Sequence, residues 1–202
     1  KMKTHHSPPT DHRNLFFPCL LSALVLATAP AWAGTLHVPK EHKTIQSGID
    51  SAKAGDTVLV APGTYRERLR LKPGITLKSV GDDAKGKLGL RRAEVTIIDG
   101  NVAGAKGPGV SMAEDSTLDG FTVTGVGQYD DALWKKHHAT LGEEQPHEHI
   151  GAPGTAGIVV LGVSRCTVAH NIVHHIGYTG IAITGEKSRR VSPHIFRNVT
   201  YR

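Results

Sequence analysis

Hydrophobic and polar positions change rhythm once along the chain, after a single short helical stretch. In Thr44-Ile45-Gln46-Ser47-Gly48-Ile49-Asp50-Ser51-Ala52 the apolar residues Ile45, Ile49 and Ala52 fall at helical spacing, and Thr44 stands where a capping side chain would. A short amphipathic helix is expected there. Ala54-Gly55-Asp56 then turns the chain, Thr57-Val58-Leu59-Val60 reads as a strand, and Pro62-Gly63 turns it again. From that point only short strands are expected: Arg68 to Leu71, Ile75 to Lys78, Val95 to Ile98, Gly109 to Met112 and Phe121 to Val123. Strands this short, with little sequence between them for crossover helices, exclude a doubly wound sheet and leave a sandwich or a solenoid.

Internal repetition separates those two. Gly157-Ile158-Val159-Val160-Leu161 recurs 23 positions later as Gly180-Ile181-Ala182-Ile183-Thr184, and Asn171-Ile172-Val173 recurs 27 later as Asn198-Val199-Thr200. A third register sets Thr117-Leu118-Asp119-Gly120-Phe121-Thr122-Val123 against Thr167-Val168-Ala169-His170-Asn171-Ile172-Val173, 50 residues on. That distance is one coil plus an insertion, which falls at about residues 126–154. A leucine-rich repeat has a similar period, but its Leu-x-x-Leu-x-Leu spacing and consensus Asn are absent. The reading is an all-β, parallel β-helix solenoid over residues 34–202, with a short N-terminal capping helix and strands stacked about 4.8 Å apart. In it, Ile158, Val160, Ile181 and Ile183 should point inward. The strand pattern runs on to Tyr201 with no capping segment, so further coils are expected beyond it.

Residues 1–33 stand apart. A basic start with Lys3 and Arg13, an apolar run from Leu15 to Ala27 and Ala31-Trp32-Ala33 before Gly34 make a secretory signal peptide. The run is short for a membrane span and contains Pro18, so no stable membrane insertion is expected after cleavage, and the location is secreted or periplasmic. Cys19 leaves with the signal, which makes Cys166 the one remaining thiol and excludes an internal disulfide; its setting between Arg165 and Thr167-Val168 points to a buried structural role. Of the formal charge of +6, about +4 stays on the mature part. That suits an acidic glycan, while export and the absence of a basic run interleaved with aromatics argue against nucleic acid.

Thr44-Ile45-Gln46 followed by Ala54-Gly55-Asp56-Thr57-Val58-Leu59-Val60-Ala61-Pro62-Gly63-Thr64-Tyr65 resembles the opening coil of the pectin-lyase-like superfamily of secreted right-handed parallel β-helix proteins. The resemblance implies the fold and an extracellular polysaccharide as partner, but no one reaction, since the superfamily spans lyases, hydrolases, esterases, epimerases and non-catalytic adhesins. It also implies that Asn171 and Asn198 stack as a ladder at a turn.

Chemistry on a packed solenoid belongs to outer faces and inserted loops, which directs attention to the insertion. It carries Tyr129, Asp130, Asp131, Trp134, Lys135, Lys136, His137, His138, His147 and His149, and His174 and His175 follow in the next coil. One reading is a divalent metal, zinc or copper, held by Asp130, Asp131, His137 and His138 with His147 and His149, although the spacing matches no zinc signature. The other is acid–base work on a uronate, as a lyase or epimerase needs. There Tyr129, His147, His149, His174 and His175 transfer protons, Lys135 and Arg165 neutralise the carboxylate, and Trp134 stacks on a sugar ring. Pro146-His147-Glu148-His149 is loosely similar to the Asp-Pro-His-Asp motif of alginate C5-epimerases, with Gln145 and His149 in place of the two aspartates. The motifs of pectin methylesterases and pectate lyases are absent. A non-catalytic, envelope-associated glycan binder or adhesin-like scaffold is the alternative, with the insertion as a polar cover over its coil.

The signal reading predicts cleavage after Ala33, so intact-mass measurement of exported protein should give a chain beginning at Gly34. A mature chain still carrying Leu15 to Ala27 would make the segment an anchor.

Overall fold

The computed structural model describes residues 2–3, 33–128, 130–139, 155–185 and 191–201. All but the first two belong to one compact unit, Trp32–Arg202. In chain order its first elements are β1 (Thr35–Val38), α1 (Ile45–Ser51), β2 (Thr57–Val60), β3 (Gly63–Tyr65), β4 (Leu69–Arg70) and β5 (Thr76–Ser79). There follow α2 (Arg91–Val95), β6 (Thr96–Asp99), β7 (Val110–Ser111), β8 (Thr117–Asp119), β9 (Thr122–Thr124) and α3 (Asp131–Ala139). The last are β10 (Ala156–Leu161), β11 (Thr167–Ala169), β12 (Ile172–Val173), β13 (Thr179–Thr184), β14 (His194–Phe196) and β15 (Val199–Thr200).

Every pairing is parallel, and from β2 onward every third strand returns to the same sheet. The three sheets run β1-β2-β5-β8-β11-β14, β3-β6-β9-β12-β15 and β4-β7-β10-β13. This mostly β, three-sheet arrangement is compatible with a parallel β-helix solenoid. The registers read from internal repetition are the observed ones: Thr117 pairs with Thr167, Ile158 with Ile181, and Ile172 with Val199.

In-register parallel stacking lines up like residues, and the core is the sum of those columns. The first sheet contributes Leu36, Val58, Leu77, Leu118, Val168 and Ile195; the second Ile98, Val123 and Val173; the third Leu69, Val110, Ile158 and Ile181. Val58, Leu77, Leu118 and Val168 are fully buried, whereas Leu36 and Ile195, at the two ends of their column, are only partly so. The same end effect corrects one expectation. Ile158 and Val160 are fully buried and Ile181 packs on the core, but Ile183 is half exposed. It pairs with Val160 as expected, yet β13 is the outermost described strand of its sheet and nothing described lies over it.

Helix α1 covers the other end. Thr44 and Ser47 form a capping box, and the Glu67 carboxylate accepts the N–H groups of Ile45 and Gln46 at 2.8 and 2.9 Å, so the first helical turn leaves few donors unmet. Ile45, Ile49 and Ala52 are fully buried, as their spacing predicts. Gly48 lets the helix approach: a Cβ there would stand 3.0 Å from Val58 and 3.2 Å from Val38.

Corners are turned by left-handed residues that stack from coil to coil. Two residues before the paired threonines, Gly55, Gly74, Asp115 and Arg165 have φ of 92°, 72°, 55° and 51°. A second corner stacks Gly120, His170 and Arg197 at 89°, 56° and 52°. Next to it runs the expected asparagine ladder. Asn171 Oδ1 accepts the Phe121 N–H at 2.9 Å, Asn198 Oδ1 accepts the Asn171 N–H at 3.0 Å, and their amide groups donate to Leu118 and Val168 carbonyls.

Truncating the middle of a column should cost far more than truncating its end. Urea unfolding should show Leu118→Ala destabilised by about 2–5 kcal/mol and Ile183→Ala by under ~1 kcal/mol. Equal losses would contradict the column description.

Candidate functional site

The outer face of the second sheet carries two columns. One consists of Ile97, Thr122, Ile172 and Val199. The other begins at Asp99 and Thr124 and continues through His174 and Tyr201, whose N–H groups join the carbonyls of Val123 and Val173. Residues 80–95, ending in α2, fold over the first column. Leu90 and Ala93 are buried against Ile172 with Val199 beside them, and Thr122 Oγ1 donates to the Ala93 carbonyl at 2.8 Å. This segment is a wall, and its charged residues face the second column across a groove. The cavity between them, about 470 Å³, is lined by Lys87, Leu88, Arg91, Glu94, Ile97, Thr122, Ile172, His174 and Tyr201. Glu94 is turned to the wall's own backbone, accepting the Leu88 N–H at 2.8 Å, and those N–H groups hold its carboxyl below the usual range. Lys87 and Arg91 are exposed.

On the groove floor the His174 ring stacks on Tyr201, with centroids 5.0 Å apart and planes 17° from parallel. Its Nδ1 lies 3.2 Å from Thr124 Oγ1 and in hydrogen-bond contact with His175 Nδ1. Burial, and then the neighbouring His175, push the His174 pKa below the ordinary histidine value.

A second cavity, about 360 Å³, lies on the other side of Leu88, which lines both. His170 and Arg197, stacked at the left-handed corner, line it together with Asp83, Asn198 and Val199. Behind it is a charged network. Asp119 Oδ1 is 2.8 Å from His170 Nδ1 and accepts from Arg92 Nη2 at 2.8 Å, Lys78 Nζ lies 3.7 Å from Asp119 Oδ2, and Arg92 Nη2 also reaches Asp83 at 3.0 Å. Burial alone would raise the Asp119 carboxyl. The hydrogen bonds from Arg92 and His170 outweigh it and hold the group below the usual carboxylate range. Arg92 belongs to α2, so the same carboxylate that meets His170 ties the wall to the sheets.

The residues that the sequence singled out divide among three places. His174 is in the groove, with His175 against it. Arg165 lies at a corner, where Asp115 takes its Nε and Nη2 at 2.6 and 2.8 Å and Glu114 stands 3.1 Å away; its charge is already met, and Asp115 is held below its usual range by that hydrogen bonding. On the insertion, Asp130 accepts the Ala132 N–H at 2.8 Å at the start of α3, and Asp131 pairs with Lys135 four residues on. Trp134, His137 and His138 fall on the α3 backbone, their side chains outside the described part, and Tyr129, His147 and His149 lie outside the described residues. Whether the insertion folds back to His174 and His175 turns on residues 140–154, which also lie outside the described residues; at its start the Gly177 N–H donates to the Val126 carbonyl at 2.8 Å. Among the described residues no three His, Cys, Asp or Glu side chains gather as a metal site requires. Cys166 is fully buried, and burial raises its thiol pKa, as befits a packing residue.

Sequence reading missed the wall and the network behind it: Lys87, Arg91, Arg92, Asp119, His170, Arg197 and Tyr201. One signal for the wall was available, since the stretch from Ser79 to Val95 is too long for a turn between two strands.

Comparison with known proteins finds no match, whether among protein-family models, curated proteins or solved structures.

The lowered His174 pKa sets a direction for stability. The unfolded chain protonates this histidine at about pH 6.5 and the folded one only at lower pH, so stability falls as pH drops through the unfolded value. Melting curves between pH 7.5 and pH 5 should lose part of that slope in His174→Gln. An unchanged slope would contradict the assignment.

Proposed function

We propose that this chain is an exported right-handed parallel β-helix protein of the pectin-lyase-like kind that binds an acidic polysaccharide outside the cytoplasm, in the groove between residues 80–95 and the second sheet. The observation that carries the reading is the pairing of wall and floor. Exposed Lys87 and Arg91 face a floor that ends in a stacked His174–Tyr201 pair, and the groove's carboxylate, Glu94, is spent on backbone N–H groups. Cations on one side recognise carboxylates spaced along a polymer. An aromatic face on the other gives a sugar ring an apolar platform. The opening-coil motif, the three stacked parallel sheets and the signal-like first 33 residues agree with such a protein and with a secreted or periplasmic location. The groove also lies where solenoids present ligands, on an outer face crossed by several coils.

A second reading, a uronate lyase or epimerase, is favoured by the state of His174. A histidine held neutral near pH 7 beside two cations can take up a proton from a carbon next to a neutralised carboxylate.

Calorimetric titration of the full chain with oligouronates, set beside neutral glucan oligomers of equal length, tests the binding reading. The expected result is salt-sensitive binding of the acidic series alone, weakened on the order of tenfold by Lys87→Ala, Arg91→Ala or Tyr201→Ala. Equal binding of neutral and acidic oligomers, or indifference to all three substitutions, would remove it.

A further inference from the structure

We infer that His170 is an acid–base residue working in the second cavity, with Asp119 as its positioning residue and Arg197 as the cation that holds the substrate's carboxylate. The inference rests on the acidic-glycan reading and places its chemistry at a corner of the coil rather than on the groove floor.

Three independent observations converge on this corner. The first is orientation. His170 Nδ1 lies 2.8 Å from Asp119, a carboxylate that Arg92 keeps ionised, so Nδ1 carries the proton and Nε2 is the nitrogen left for a ligand. Phe196 packs edge-on against the ring, with centroids 5.5 Å apart, which fixes its plane. The second is charge. Around the imidazole, Arg92 and Lys78 balance Asp119 and Asp83, so the network is neutral with a neutral His170 and leaves Arg197 as a cation of the cavity with no ion-pair partner among the described residues. The third is backbone conformation. His170 and Arg197 occupy successive levels of a left-handed column that begins with Gly120, where glycine would be the unstrained choice. Stacking sets their backbones about 4.8 Å apart, within reach of one sugar residue.

The step balances without any co-reactant. Nε2 takes the proton from the carbon bearing the uronate carboxylate, and the C–H electron pair moves toward that carboxylate, whose growing negative charge Arg197 meets. If a glycosidic oxygen leaves the adjacent carbon, the pair forms a C=C bond, the C–O bond breaks, and the proton on Nε2 passes to the departing oxygen. If nothing leaves, the pair returns to carbon with a proton, which in D₂O becomes a deuteron. Deuterium at that carbon thus reports the proton transfer when nothing leaves, and the unsaturated end reports it when the glycosidic oxygen does.

The test incubates the full chain with oligogalacturonate and oligoalginate in D₂O. It measures deuterium at the carbon next to the carboxylate, the ultraviolet absorbance of unsaturated ends, and affinity by calorimetry. Wild type should exchange or cleave at least one series. His170→Ala and His170→Gln should each lose roughly 100-fold or more in rate while binding within about twofold of wild type. Arg197→Ala should lower the rate with the fold intact. Asp119→Asn should keep binding and lower kcat rather than raise KM, and Asp119→Glu should recover part of the rate. A merely structural Asp119 would lower stability and leave kcat of the folded protein unchanged. Both His170 variants reacting at the wild-type rate would overturn the inference. A wild type that binds without exchange or cleavage would also overturn it while leaving the binding reading intact, and a wild type that neither binds nor reacts would remove both.

Discussion

Parallel, in-register stacking at one strand spacing is the constraint on which everything else in this molecule depends. Once Thr57, Thr76, Thr117 and Thr167 are level with one another, every other position of each coil has a prescribed neighbour above and below. Inward positions must then be aliphatic at each level, because a polar group there would meet only hydrocarbon. Corner positions must each accept the same backbone twist, which Gly55 and Gly74 do freely and Asp115 and Arg165 do while gripping one another across the coils. The Asn171–Asn198 pair meets backbone groups that a turn would otherwise leave unbonded.

With the interior committed to packing, individuality is confined to what leaves the coil. Among the described residues, the longest such excursions are 80–95 and the stretch that carries α3. The first lies back on the second sheet and converts a flat outer face into two adjoining cavities. The fold therefore supplies a regular floor, and one short irregular segment supplies the second side of each cavity.

This division explains how much could be read in the sequence. Strand positions, the Thr44-capped helix, the 50-residue register and the asparagine ladder all follow from local alternation or from repetition, both visible in one dimension. The wall does not repeat, and α2 spans only five residues with no side-chain cap, so neither periodicity nor capping announces it. Arg92 meets Asp119 across 27 positions of unrelated sequence, and only the folded coil brings them together. His170 occupies the repeat slot of Gly120, and neither its left-handed backbone nor its contact with Asp119 is visible in one dimension. The half-exposed Ile183 marks a further limit: a repeat predicts which residues align, and neighbours on both sides decide whether they are buried.

Asp119 gives the arrangement an economy with a mechanical side. One oxygen of a single carboxylate both anchors the wall through Arg92 and meets His170. Wall and imidazole are thereby thermodynamically linked. Anything that opens the wall frees Asp119 to rotate and slackens its hold on the histidine, and a ligand that draws on His170 tightens or loosens the wall by the same free energy. On the proposed binding reading, a polymer in the groove would meet residues 80–95 as a latch coupled to the neighbouring cavity.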